Sequence, residues 1–267
     1  MFNENGEFNF SLLTFAAKIK LNELERKIRV GAVSYLNTKP LLYGIEHSPV
    51  INKIELKIDY PSRIAAMLLN DEIDIGLVPV AIIPKLNDYY INTDYCIGCD
   101  GAVASVCLFS EVPLEKIEKV LLDYQSRTSV QLVKILLKEY WKIDPMLEDA
   151  KEDFREYIDG TTAGLVIGDR ALEQRKHSAY IYDLGEAWKN FTKLPFVFAA
   201  WVSNKKLSDD FIEEFNEANK NGLKNLDLLL AEIHYENFNL RDYYTKYISY
   251  DLTDEKKKGL ELFLKKI

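Results

Sequence analysis

Two short polar runs hold the side chains best suited to chemistry. The first is Ser34-Tyr35-Leu36-Asn37-Thr38-Lys39-Pro40, set between a predicted strand at 28–34 and a helical pattern at 40–45. Ser34, Asn37 and Thr38 therefore stand at the carboxyl end of a predicted parallel strand. Open α/β sheets gather ligands there, because backbone N–H groups and side-chain donors converge. Capping of the helix by Asn37 or Thr38 is an equal reading of the same residues. The second run is Ser126-Arg127-Thr128-Ser129, just after a predicted strand at 119–123. Three hydroxyls and a guanidinium at a helix N-terminus suit a carboxylate or phosphate, since free N–H groups and the helix dipole both favour an anion. Capping explains one of these hydroxyls and leaves the others over.

Other strand ends add less. Gly76-Leu77-Val78-Pro79-Val80 would bring backbone to the same edge, with Pro79 also stopping the strand. Ser105 lies in an otherwise apolar run at 102–109, where a buried hydroxyl requires a partner. Asp169 follows Gly168 at a strand end and suits proton transfer or the placing of a donor, or equally a cap for 170–175. Cys96 and Cys99 form an isolated C-x-x-C, and His47, His177 and His234 are all distant from it in sequence. They read as small apolar residues in or beside a strand, not as a metal site. Trp188, Phe191 and Phe196-Val197-Phe198 read as core. The G-x-S-x-G elbow, the phosphate loop, the G-x-G-x-x-G fingerprint and H-E-x-x-H are absent from the sequence. That argues against a standard hydrolase, a nucleotide-binding enzyme and a zinc protease.

The elements that must position these residues alternate short apolar runs with amphipathic stretches, the signature of βαβ units. Strands are predicted at 28–34, 54–60, 73–78 and 102–109, then at 119–123, 164–167, 180–184 and 196–202. Helices follow at 209–233, 240–248 and 254–267. The long apolar runs 102–109 and 196–202 bracket the middle set, so they are read as the places where the chain crosses between two lobes. Lobe one is then 28–108 plus 200–267, lobe two is 109–199, and 1–27 is a peripheral N-terminal extension. The fold class is α/β, two-lobed, with a C-terminal helical segment and a cleft in which a small ligand sits.

The bulk properties fit. In 267 residues, 34 Lys and Arg face 42 Asp and Glu, a net charge of −8, without a basic cluster. A nucleic-acid partner is disfavoured, since binding phosphates requires a basic face. No run of about 18 apolar residues is present to span a membrane. Residues 1–27 lack the basic start and small-x-small site of a secretory signal, so a cytoplasmic protein is expected.

The stretch Arg29-Val30-Gly31-Ala32-Val33-Ser34-Tyr35-Leu36-Asn37-Thr38-Lys39-Pro40-Leu41 resembles the N-terminal signature of the chorismate dehydratases of the futalosine route to menaquinone. The resemblance continues through Pro61-Ser62, 74–80, 101–106, Ser126–Ser129, Ile167-Gly168-Asp169 and a run from Leu184 to Trp201, in order over about 28–203. The C-terminal helices match only in type. A sister enzyme making dihydroxynaphthoate opens with a Ser-Pro-Cys-Pro-Asn-Asp-like motif, whereas this chain has Ser-Tyr-Leu-Asn. The resemblance implies a type 2 periplasmic-binding-protein-like fold and a lyase that converts chorismate to 3-[(1-carboxyvinyl)oxy]benzoate and water. No cofactor or metal is expected. On this reading Asn37, Ser105 and Asp169 are the catalytic candidates, and Ser34, Tyr35, Thr38, Pro79, Val80, Ser126, Thr128 and Ser129 bind substrate. Asn37 donates near the reacting hydroxyl or a carboxylate, while Ser105, Thr128 and Ser129 hold carboxylates. Asp169 or a carboxylate of the substrate itself takes the proton. A solute-binding protein of the same fold is the rival from another class.

Overall fold

The computed structural model describes residues 26–267, so the extension read at 1–27 lies outside the described residues as far as residue 25. Two sheets carry the fold. In the first, β1 (Ile28–Val33) lies between β2 (Ile54–Asp59) and β3 (Ile75–Pro79), parallel to both. Strand β4 (Tyr90–Cys99) is separated from β3 by β10 (Phe196–Ser203), which runs antiparallel to each, and β11 (Ser249–Asp251) adds an edge beside β4. In the second, β6 (Lys119–Leu122) lies between β7 (Met146–Asp149) and β8 (Thr162–Ile167), again parallel to both. Strand β5 (Val106–Ser110) runs antiparallel between β8 and β9 (Tyr180–Asp183). The second sheet thus repeats the first: β6 takes the place of β1, β8 that of β3, and β5 that of β10.

Physical chemistry explains the match of sequence to strand. Strands covered on both faces must be apolar throughout, and β3, β5 and all but one residue of β10 are buried end to end. The chain passes from the first sheet to the second over 100–105. It returns through helix Leu184–Thr192 and residues 193–195. The apolar runs read as the crossings are instead central strands: 106–108 pair in the second sheet and 196–199 in the first. Their length and hydrophobicity mark pairing on two sides, not passage between lobes. Strands β4, β7 and β11 are not among those predicted; β7 is an exposed edge, β11 is three residues long, and Asn92, Thr93 and Asp94 break the apolar pattern of β4 without breaking the strand.

One helix contact anchors the helix that follows the first polar run. Helix Lys39–Glu46, which follows Asn37 and Thr38, crosses helix Asp209–Lys224 so closely that a Cβ on Gly44 would stand 1.9 Å from the Ala218 carbonyl oxygen. Gly222 meets the Pro40 carbonyl oxygen at 1.8 Å on the same test. Only glycine at both positions lets the two backbones touch.

Candidate active site

A cavity of about 60 Å³ lies between the lobes. Tyr35, Asn37, Thr38 and Pro79 line it from the ends of β1 and β3, and Ser126, Thr128, Ser129 and Gly168 from the ends of β6 and β8. Ser105, on the crossing segment, forms its back, with Val33, Ile97, Val106 and Phe198 as apolar walls. Equivalent corners of the two sheets therefore face each other across one cavity. Tyr35 is the one titratable side chain among the described residues lining it.

The local geometry separates capping from ligand binding. Helix Lys39–Glu46 has no side-chain cap, since the Thr38 hydroxyl instead donates to Asn37 Oδ1 at 3.2 Å. This leaves Asn37 Nδ2 without a protein partner among the described residues. In the second run Ser126 Oγ accepts the Ser129 N–H at 3.1 Å, so one hydroxyl does cap. Thr128 Oγ1 accepts the Ala81 N–H of the other lobe at 3.2 Å, and the Ser129 hydroxyl has no partner among the described residues. Arg127 is exposed and points away from this cavity's lining.

Ser105 is fully buried and held from several directions. Its Oγ accepts the Tyr243 hydroxyl at 2.7 Å, and its carbonyl accepts the Gly168 N–H at 2.8 Å. Its own N–H closes a three-residue turn onto the Val103 carbonyl at 2.8 Å, around Ala104 at φ 62°. The Asp183 carboxylate secures this turn from the other crossing segment. It accepts the N–H groups of Val103 and Ala104 at 3.0 and 2.7 Å and those of Gly185 and Glu186 at 2.9 and 3.1 Å. One carboxylate thus ties the outgoing and returning strands of the chain together.

Three expected site residues are not in the cavity lining. Ser34 is exposed, and its N–H serves β2 through the Asp59 carbonyl at 3.1 Å. Val80 is buried in the core behind Pro79. Asp169 neither lines the cavity nor caps its helix; Oδ1 accepts the Leu36 N–H from the other lobe at 3.0 Å. Burial pushes the Asp169 carboxyl up to about 6, with Glu173 acting in the same direction and the Leu36 bond against it. Beside it Gly168 has φ +65°, and a Cβ there would meet the Tyr35 ring at 2.8 Å, so the Tyr35 ring rests on bare backbone.

Several participants carried no signal in the sequence. Tyr243 supports Ser105, and Tyr250 donates to the Asn37 carbonyl at 2.9 Å, both from the C-terminal segment. Gln125 Oε1 accepts the Tyr35 hydroxyl across the lobes. Asp123, fully buried, accepts Arg170 Nη2 at 2.8 Å and the Ile167 N–H at 3.1 Å, which fixes the end of β8. Burial raises its carboxyl even with Arg170 beside it. Cys96 and Cys99 lie buried in β4, burial pushes both thiols up, and no group of three or more potential metal ligands occurs among the described residues.

Pockets that enclose small ligands begin near ~300 Å³, so these lobes stand closed and must part to admit a metabolite. Two lobes with repeated α/β corners and an interlobe cavity, largely apolar with polar strand-end groups, define the periplasmic-binding-protein-like class. The chain belongs to the menaquinone biosynthesis family, whose model matches residues 28–267. It is 28% identical over 219 residues to the chorismate dehydratase of Thermus thermophilus, covering 74% of this chain and 78% of that one. Solved structures agree on the fold. A protein from Archaeoglobus fulgidus aligns with a TM-score of 0.72 at 16% identity, covering 90% of this chain and 96% of its own. A Candida albicans protein with the generic periplasmic binding protein fold aligns at 0.57 and 12% identity, covering 89% and 90%. No helix among the described residues is long and apolar enough to cross a membrane.

Proposed function

We propose that this protein is a chorismate dehydratase, converting chorismate to 3-[(1-carboxyvinyl)oxy]benzoate and water on the futalosine route to menaquinone. The observation that carries the reading is the cavity itself. Strand-end donors from both lobes converge on one small, mostly uncharged space in a chain of the menaquinone biosynthesis family. Asn37 Nδ2 and the Ser129 hydroxyl lie on opposite lobes and have no protein acceptor among the described residues, which suits a ring bearing two carboxylates.

The chemistry requires little more than placement. Loss of the C3 proton and of the C4 hydroxyl makes the ring aromatic, so the protein has to orient the leaving hydroxyl and stabilise charge developing on a carboxylate. Asn37 donates at the ring, and Thr128 and Ser129 hold a carboxylate at the second lobe's helix N-terminus. Ser105 takes the other carboxylate while Tyr243 supports its hydroxyl from behind. With Tyr35 the sole titratable side chain in the lining among the described residues and burial raising its phenol, the C3 proton passes to a carboxylate of the substrate and from there to the departing C4 hydroxide, which leaves as water. Asp169 then acts through the Leu36 N–H as a positioning group for the Tyr35–Asn37 turn.

Incubating the purified protein with chorismate and following an aromatic product lighter by one water tests the reading, with Asn37→Ala expected to cut turnover at least about tenfold. Chorismate left intact would overturn it. Chorismate bound but unconsumed would make the protein a carrier.

A further inference from the structure

A second, larger space of about 630 Å³ opens on the outer side of the same interlobe seam. Lys85 contributes from lobe one, at the end of the 3-10 helix Val80–Lys85; Arg127 and Lys134 contribute from lobe two. Arg127 and Lys134 are seven residues apart, two helical turns, and so share one face with Val130 and Gln131, which also line the groove. None of the three cations makes a side-chain hydrogen bond or lies within the 4.0 Å ion-pair limit of a carboxylate among the described residues. Elsewhere in the molecule most arginines are ion-paired, as Arg29, Arg155, Arg170 and Arg241 show. Of the groove's acids, Asp123 is closed off by Arg170. Asp149 remains, one acidic side chain against three cations without a carboxylate partner among the described residues, in a chain of net charge −8.

The groove and the inner cavity share one lining residue, Ser126, which stands at the partition between them. Two interlobe hydrogen bonds stand at that partition, the Ala81 N–H to Thr128 Oγ1 at 3.2 Å and the Ser62 hydroxyl to the Tyr124 carbonyl at 3.4 Å. We propose that this groove is an anion-collecting vestibule, in which Lys85, Arg127 and Lys134 capture a six-membered-ring dicarboxylate and pass it by Ser126 to the closed cavity. A cleft whose unpaired charges are mainly of one sign raises the local concentration of an oppositely charged ligand, an effect that matters most where the protein as a whole repels it. The identity of the ligand rests on the function proposed above; the site rests on the groove.

The test pairs Lys85→Glu/Lys134→Glu with a control of equal charge change on other parts of the surface, Lys206→Glu/Lys224→Glu, at exposed positions without an ion pair among the described residues. At low salt the groove variant should lose about tenfold in kcat/KM for chorismate, and the gap should shrink below about twofold near 0.5 M salt, where charges are screened beyond about 4 Å. The control should match the native protein. Calorimetric titration with isophthalate, an aromatic dianion, repeats the comparison without turnover, and Lys85→Ala/Lys134→Ala replaces the groove variant if that one melts early. Groove variant and control behaving alike at every salt concentration overturns the vestibule, as does absence of isophthalate binding to the native protein. Salt-dependent isophthalate binding lost only in the groove variant, without chorismate turnover, upholds the vestibule and removes the proposed function instead.

Discussion

Single residues divide into those that meet the ligand and those that hold them. Asp169 shows the difference, because its carboxylate faces a backbone N–H of the opposite lobe and not the cavity. Asp169→Asn keeps an acceptor for the Leu36 N–H, and Asp169→Ala removes it. Turnover is expected to survive the first and to fall at least about tenfold in the second; loss of turnover in a well-folded Asp169→Asn would make Asp169 the proton acceptor. The same side chain predicts a pH effect. Its folded pKa, about 6, lies above the ordinary carboxylate value of 3.8. Between those values the folded state binds more protons than the unfolded, so stability from this group is full below 3.8 and declines as pH rises through 6. Asp169→Asn should therefore melt higher than the native protein near pH 7, by on the order of 2 kcal/mol, and no higher near pH 4. Thermal melts across that range check the sign.

At the scale of elements, the strand tips were legible and their supports were not. The ends of β1 and β6 announced themselves because polar residues cluster abruptly after apolar runs, as Asn37-Thr38 and Ser126–Ser129 do. The strands β1, β3, β6 and β8 were legible as apolar runs, and β2 from its alternation of apolar and charged residues. Strand β4 was not, since Asn92-Thr93-Asp94 breaks its pattern, and the crossings were misplaced because central strands are as apolar as any bridge. Tyr243 and Tyr250 act on Ser105 and Asn37 over sequence separations of 138 and 213 residues, which local pattern cannot express. Asp183 is the most consequential of these hidden supports, since one carboxylate satisfies four backbone N–H groups on both crossing segments. Buried donors left unpaired cost about 1–3 kcal/mol each, so Asp183→Ala should lower stability by about 3 kcal/mol or more. Asp183→Asn, which keeps Oδ1 for Gly185 and Glu186, should fall between it and the native protein in denaturant midpoint. Equal midpoints for all three would refute this role.

For the whole molecule, the central question is opening. Polar contacts join the closed lobes across the cleft, among them Leu36 with Asp169, Ala81 with Thr128, Tyr35 with Gln125 and Ser62 with Tyr124. A cavity of about 60 Å³ cannot admit a metabolite the size of chorismate, so the ligand-free protein must visit an open form. Small-angle scattering is expected to show a smaller radius of gyration with saturating chorismate or its product than without. Superimposable curves would mean that closure is not coupled to binding.

The strand order has one more consequence, for synthesis on the ribosome. Strand β10 is wedged between β3 and β4, which do not pair with each other, so the first sheet stays split until residues 196–203 have emerged. Every strand of the second sheet is already present by residue 183. The jaw encoded in the middle of the message can therefore mature while the one encoded at its beginning still waits.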